Sequence, residues 1–331
     1  MANRKCVVFA SITLTAAFLS AQTNTAEVQR HADAALKSGG AQWEQAARFF
    51  CSTEAQVNAM HILPSARQND PPESRYAEPA KVFDNLYFVG TKEVTTWVIP
   101  TNDGYILIDA GYAGEEEKTM IAGMKKLGLD PAKIKAVLIA HGHADHFGGA
   151  FYLQEHFGAH VYMSAPDWDF IQPKPGAKGS GGPLPSRDRI LEDGKPVTLG
   201  GTTVTPIFIP GHTPGAMGFV FNVTDNGQRH VAGLFGGTIL NPQDKFPVSL
   251  FEQYLTSLQH FKEVTGRMKV DVELVNHPIM DGTFEKLAAL KDRKPGQPHP
   301  FVVSETGFQN FATVMEECGK AQLVRHGGTA K

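Results

Sequence analysis

The sequence predicts a four-layer αββα sandwich, two mixed sheets flanked by helices. Three observations carry that prediction. Strand-like runs come in two series, each followed by helical stretches, which suits two stacked sheets with helices outside. Ala136–Ala140 is a continuous apolar run, the mark of a strand covered on both faces. The Gly/Pro/Ser-rich stretch 172–187 is followed directly by renewed strand patterns, so it reads as a loop within one unit and not as a linker.

Taken in order, Arg4 and Lys5 precede an uncharged apolar stretch, Cys6–Leu19, and then Ser20-Ala21. This is the pattern of a secretory signal cleaved after Ala21; the alternative is a buried first helix. Export predicts a periplasmic or secreted protein with no membrane attachment after cleavage. It would leave Cys51 and Cys318 as the cysteines of the mature chain. In an oxidising compartment they predict a disulfide tying an N-terminal helix to a C-terminal one, the alternative being two separate buried thiols.

Residues 27–50 carry apolar positions at helical spacing, and 62–80 read as a Pro-rich, charged loop. Strands are predicted at Leu86–Val89, Thr95–Ile99 and Tyr105–Asp109, the last two joined by the hairpin signal Asn102-Asp103-Gly104. Helices at Glu115–Leu127 and Gly148–Phe157 flank the buried strand Ala136–Ala140, and Val161–Met163 is a further strand. The second series comprises Val197–Leu199, Thr203–Ile209, Gly218–Val223 and His230–Phe235. Leu250–Val264, Phe284–Lys291 and Phe308–Arg325 read as helices, Val272–Val275 as a strand and Lys291–Pro300 as a Pro-rich loop. The 331 residues are 42% hydrophobic and 20% charged, which excludes a disordered chain. A net charge of -3 argues against a nucleic-acid partner.

The segment His141-Gly142-His143-Ala144-Asp145-His146 puts three imidazoles and a carboxylate directly after the buried strand. His212, within Gly211-His212-Thr213-Pro214-Gly215, follows the strand Thr203–Ile209, and His277 follows Val272–Val275. Loops beyond strand ends share one face in layered α/β folds, so these histidines predict a common metal centre. Imidazole nitrogen and carboxylate oxygen are suitable zinc ligands. His156, His160, His230 and His260 lack ligand spacing, and Trp97, Phe147 and Trp168 are aromatics that serve either as pocket wall or as core. Lys174 and Lys178 in the Gly-rich loop are cations for an anionic substrate or simply solvated charges.

From about Val82 to Asp281 the motifs HGHADH, GHTPG and NHP, with the Leu107–Gly111 turn, resemble the metallo-β-lactamase superfamily. Within it the chain looks most like subclass B3. His141 and His143 occur with both Asp145 and His146, and Pro185–Arg189 leading to Asp193-Gly194 is similar to the B3 loop. Most superfamily hydrolases have a bridging Asp after GHTPG, whereas residues 235–241 contain no Asp and no Cys, and a B3-type site needs neither.

The resemblance implies two zinc ions per chain, one held by His141, His143 and His212, the other by Asp145, His146 and His277. It implies a dizinc hydrolase in which a bridging hydroxide opens a β-lactam ring, with Asp145 orienting the nucleophile as the catalytic carboxylate. Asp109 is a candidate for fixing the ligands from behind, or else a turn-capping residue. Thr238 and Asn241 are the nearest candidates for substrate contact. The expected organisation is a signal at 1–21, a helical extension at 22–80 and a hydrolase domain at 81–331. A small-molecule substrate and a monomer are expected. The alternatives are an exported hydrolase of another substrate, such as a lactone, and a non-catalytic zinc-binding protein.

Overall fold

The computed structural model describes residues 10–53, 55–56, 72–173, 182–238, 240 and 247–330, with side chains in the first helix described from residue 25 on. Lys174, Lys178, Asn241 and the first nine residues of the expected signal lie outside the described residues. Residues 10–39 of the chain form one helix, and among the described residues no helix is long and apolar enough to cross a membrane.

Among the described residues the strands form two mixed sheets. The first has the order β1 (Ala80–Phe83), β2 (Leu86–Phe88), β3 (Trp97–Thr101), β4 (Gly104–Ile108), β5 (Ile134–Leu138), β6 (His160–Ser164), β7 (Arg189–Leu191). Its early members pair antiparallel and β4 to β7 pair parallel. The second comprises β8 (Val197–Leu199), β9 (Thr202–Phe208), β10 (Met217–Asp225), β11 (Gln228–Leu234) and β12 (Val272–Leu274), β12 running parallel to β11. Asn102 and Asp103 are the two residues between paired Thr101 and Gly104, the two-residue turn expected of that hairpin.

Side chains alternate across each strand, so one strand feeds two cores. Ile106, Ile108, Leu138 and Ala140 face Phe219, Phe221 and Leu234 between the sheets. Leu107, Val137 and Ile139 point the other way, onto the helices of the first sheet. Val220 and Ile207 point away from the second sheet onto the remaining helices. Three apolar layers between four layers of structure are the αββα sandwich.

In chain order the helices are α1 (Ala10–Gly39), α2 (Glu44–Phe50), α3 (Ala122–Lys126, entered by a wide turn at Glu117–Ile121), α4 (Ala144–Phe147), α5 (Ala150–Phe157), α6 (Ala165–Phe170), α7 (Val248–Arg267), α8 (Thr283–Lys291) and α9 (Ser304–Arg325). Met124, Leu153 and Trp168 cover the first sheet. Helices α1, α2, α7 and α9 share the core outside the second sheet. His31 Nδ1 lies 2.6 Å from Glu317, and Trp43 Nε1 donates to the Gly307 carbonyl at 2.8 Å. A disulfide joins Cys51, just past α2, to Cys318 in α9, the pairing expected from the sequence.

Strands β1 and β7 and helices α4 and α6 escape the sequence reading, α4 because it is a single turn of four residues. Strand β1 falls at the end of the stretch read as loop, with Lys81 exposed among its four residues. Strand β7 lies at the sheet edge and exposes Ile190, so it carries no apolar alternation. Helix α6 is only six residues long, too short to show a period. Its signal was Ser164, whose hydroxyl accepts the Asp167 N–H, with Pro166 opening the first turn.

The Pro-rich loop after α8 is pinned by Arg293, whose Nη1 and Nη2 donate to Asp225 at 2.8 and 2.6 Å. Arg293 holds the Asp225 carboxyl below its ordinary value. A depressed carboxylate pKa stabilises the fold above the unfolded value of about 3.9, and that contribution disappears as pH falls through the native pKa. Asp225→Asn should therefore cost on the order of 1 kcal/mol at neutral pH. The gap from wild type should close on acidification toward pH ~3, as read by urea unfolding at several pH values. An unchanged gap across that range would show that the pair contributes nothing through charge.

Candidate metal centre

Strand β5 ends at Leu138, and the chain then turns through His141 and His143 into the single turn α4, which carries Asp145 and His146. Two bonds lock this turn. Ala140 N–H donates to Asp109 Oδ1 at 2.7 Å, and Ala110 N–H donates to the His146 carbonyl at 2.7 Å. Asp109 itself sits at φ 60°, a left-handed conformation that Asp tolerates better than most residues. From the second sheet, His212 follows β9 and His277 follows β12.

The six expected side chains come together as two triads, His141 with His143 and His212, and Asp145 with His146 and His277. Within each triad the ligand atoms lie within 4.8 Å of one another. His212 Nε2 is 3.1 Å from His141 Nε2 and 3.0 Å from His143 Nδ1. His146 Nε2 is 3.2 Å from His277 Nε2 and 3.4 Å from Asp145 Oδ2. The His141 and His146 rings are 4.0 Å apart between centroids, so the triads are immediate neighbours. His141, His146 and His277 are buried, while His143, Asp145 and His212 are partly exposed and form the face open to solvent.

In the second triad the remaining ring nitrogens are fixed from behind. His277 Nδ1 lies 2.8 Å from the Glu93 carbonyl, an acceptor only, so this nitrogen carries the proton and Nε2 presents its lone pair. His146 Nδ1 lies 2.8 Å from Asp109 Oδ2 in the same arrangement. A carboxylate or carbonyl behind a ligating imidazole is the usual support of a metal site. Asp109 thus holds both the turn, through Ala140, and the His146 ring.

Electrostatics distinguish the members. Burial, reinforced by the other histidines, pushes His141 well below its ordinary value. Burial lowers His143 and pushes His277 down to about 4. These rings are neutral at pH 7, as ligands must be. Burial also opposes charge on His146, yet Asp145 and Asp109 on either side push it up to about 10. Burial opposes ionisation of Asp145, but His146, His277 and His143 hold it well below the carboxylate range. Ligation by His146 Nε2 would therefore compete with a proton there. His212 Nε2 lies 3.0 and 3.1 Å from nitrogens of His143 and His141, and three imidazole nitrogens so grouped are a donor set that suits zinc.

The glycine pair beyond β11 stands where the backbone leaves no room for a side chain. A Cβ at Gly236 would lie 2.1 Å from the Met217 carbonyl, and one at Gly237 would lie 2.7 Å from His212 Cβ. The backbone here runs directly beneath a ligand. Thr238 is buried at 1% exposure, and its hydroxyl donates to Asn276 Oδ1 at 3.2 Å. Its hydroxyl thus braces the loop that leads into His277. Trp97, Phe147 and Trp168 are core residues.

Residues 89–225 match the sequence profile of the metallo-beta-lactamase superfamily. The solved subclass B3 metallo-beta-lactamase of Bradyrhizobium japonicum superposes with a TM-score of 0.66 at 28% identity, over 76% of this chain and 96% of that one. The fold is that of the metallo-β-lactamase superfamily, most like its subclass B3 members. The native metallo-beta-lactamase of Legionella gormanii gives 0.62 at 27% identity, over 72% of this chain and 92% of that one. Sequence comparison finds different superfamily members. Hydroxyacylglutathione hydrolase GloC of Haemophilus influenzae is 33% identical over 120 residues, 34% of this chain. The chain spans about half of that relative's length, 54%.

Proposed function

We propose that this chain is an exported dizinc hydrolase that opens the β-lactam ring. The observation that carries the reading is the composition of the second triad, Asp145 with His146 and His277, beside the first triad of His141, His143 and His212. The similarity to subclass B3 structures over three quarters of the chain supports it. The Cys51–Cys318 disulfide supports export, since such bridges persist in oxidising compartments.

Zinc held by three protein ligands keeps an open position, and when bound it would supply Lewis acidity and ionise water near neutral pH. The chain's own groups do the rest. Asp145, ionised and partly exposed, is an acceptor that orients the attacking water. Asp109 and the Glu93 carbonyl hold the protons of His146 and His277 on Nδ1, away from the reacting face. Phe170, with its ring 6.0 Å from that of His143, supplies an apolar wall beside the open face.

The resemblance in sequence to a hydroxyacylglutathione hydrolase favours a second reading in which the same centre cleaves another acyl bond, such as a lactone or thioester. Purified, zinc-loaded enzyme assayed with penicillin, cephalosporin and carbapenem, beside acyl-lactones and hydroxyacylglutathione, separates the two. Chelator-sensitive β-lactam turnover is the expected result. Turnover of only the lactone or thioester would move the chain to the second reading. No turnover of any compound by the zinc-loaded protein would leave a non-catalytic zinc-binding protein.

A further inference from the structure

One buried carboxylate outside both triads touches the two loops that present the first of them. Asp167 lies in α6 and is fully buried. Its Oδ2 accepts from the Gly142 N–H and from the Thr213 hydroxyl, both at 2.7 Å, and its Oδ1 accepts from the Gly215 N–H at 2.7 Å. Gly142 stands between His141 and His143, and Thr213 directly follows His212. A single side chain therefore ties the loop after β5, on one sheet, to the loop after β9, on the other.

The fit around it is close. A Cβ at Gly142 would lie 2.9 Å from Phe170 Cδ1 and 3.0 Å from Ile171 Cγ2, so the end of α6 seats on that glycine. A Cβ at Gly215 would lie 2.0 Å from the Ser164 hydroxyl and 2.6 Å from the Asp167 nitrogen, so the start of α6 seats on the other loop. Burying a carboxylate is costly unless its oxygens are hydrogen-bonded, and here each is. The donors are two peptide N–H groups and one hydroxyl; no ligand of either triad is among them.

We propose that Asp167 is a positioning residue for the first triad alone, holding His141, His143 and His212 in ligating register while leaving the second triad to Asp109. The inference rests on the reading that the triads bind metal. Asn at this position keeps the shape but offers one acceptor and turns an NH2 group toward a donor. The full chain would be stripped of metal and titrated with Co2+, following the ligand-field spectrum and the bound metal after equilibrium dialysis.

Wild type is expected to bind two equivalents. Asp167→Asn should weaken one of them by about 10–100-fold and leave the other as in wild type. Asp109→Asn should weaken chiefly the complementary one, because Oδ2 faces His146 while Oδ1 holds only the Ala140 N–H ahead of His141, with a different spectrum for the cobalt retained. In the background of His143→Ala, which already lacks the first triad, Asp167→Asn should cause no further loss. Thr213→Val, which removes one of the three donors, should weaken the same equivalent to a smaller extent. It also carries the test if Asp167→Asn does not fold.

Equal weakening of both equivalents, or none, in a folded variant would overturn the proposal and leave Asp167 a general structural residue. A wild-type chain that binds no cobalt and no zinc would overturn the dizinc reading as well. That failure is separable from a failure of Asp167→Asn alone.

Discussion

His143→Ala is expected to lose tight metal binding at the first triad and to lower hydrolysis by more than about a hundredfold. Replacing groups that merely support a ligand typically costs about 10–100-fold in metal affinity or activity, and a direct ligand should exceed that. His143 is well suited to the test. It is partly exposed and its backbone leads into α4 without a side-chain cap, so truncation removes a donor without opening the core. Metal content and turnover should fall together while thermal unfolding of the metal-free protein stays close to wild type. A variant that keeps both its metal and its rate would remove His143 from the centre.

Breaking the Cys51–Cys318 bridge should be the largest single loss of stability. The bridge spans a sequence separation of 267 residues and joins α2 to α9 inside the core outside the second sheet. Closing so long a loop restricts the unfolded chain, and removing native bridges typically costs about 2–5 kcal/mol. At about 2–4 °C per kcal/mol for a chain of this general size, Cys318→Ala should melt roughly 5–15 °C below wild type. Neither cysteine belongs to a triad, so turnover at low temperature should persist. Melting with and without a reductant checks the same point in the unaltered chain, and identical curves would mean that the bridge does not constrain the unfolded state.

The clustering of the six triad side chains was legible because their signals are local. Each stands just past a run whose apolar character marks a strand, as with Ala136–Ala140 before His141, and strand ends on one side of a sheet share a face. The central strands were legible for the same reason, since Ile106 and Leu107 must each find a core. What was not legible depends on contacts between distant segments. Asp167 looks like any Asp in a short polar helix until Gly142 and Gly215 are brought to it from either side. That Thr238 gives its hydroxyl to Asn276 is likewise a contact no stretch of sequence displays. The edge strands β1 and β7 owe their pairing to neighbours, not to an apolar pattern of their own.

Each triad takes two members from the turn after β5 and one from a loop of the opposite sheet, His212 or His277. Any ion seated there would act as a rivet across the seam of the sandwich, fastened on both plates. Rigidity of the whole body and possession of its reagent would then be one property: a chelator would slacken the joint between the halves in the same act that silences the chemistry.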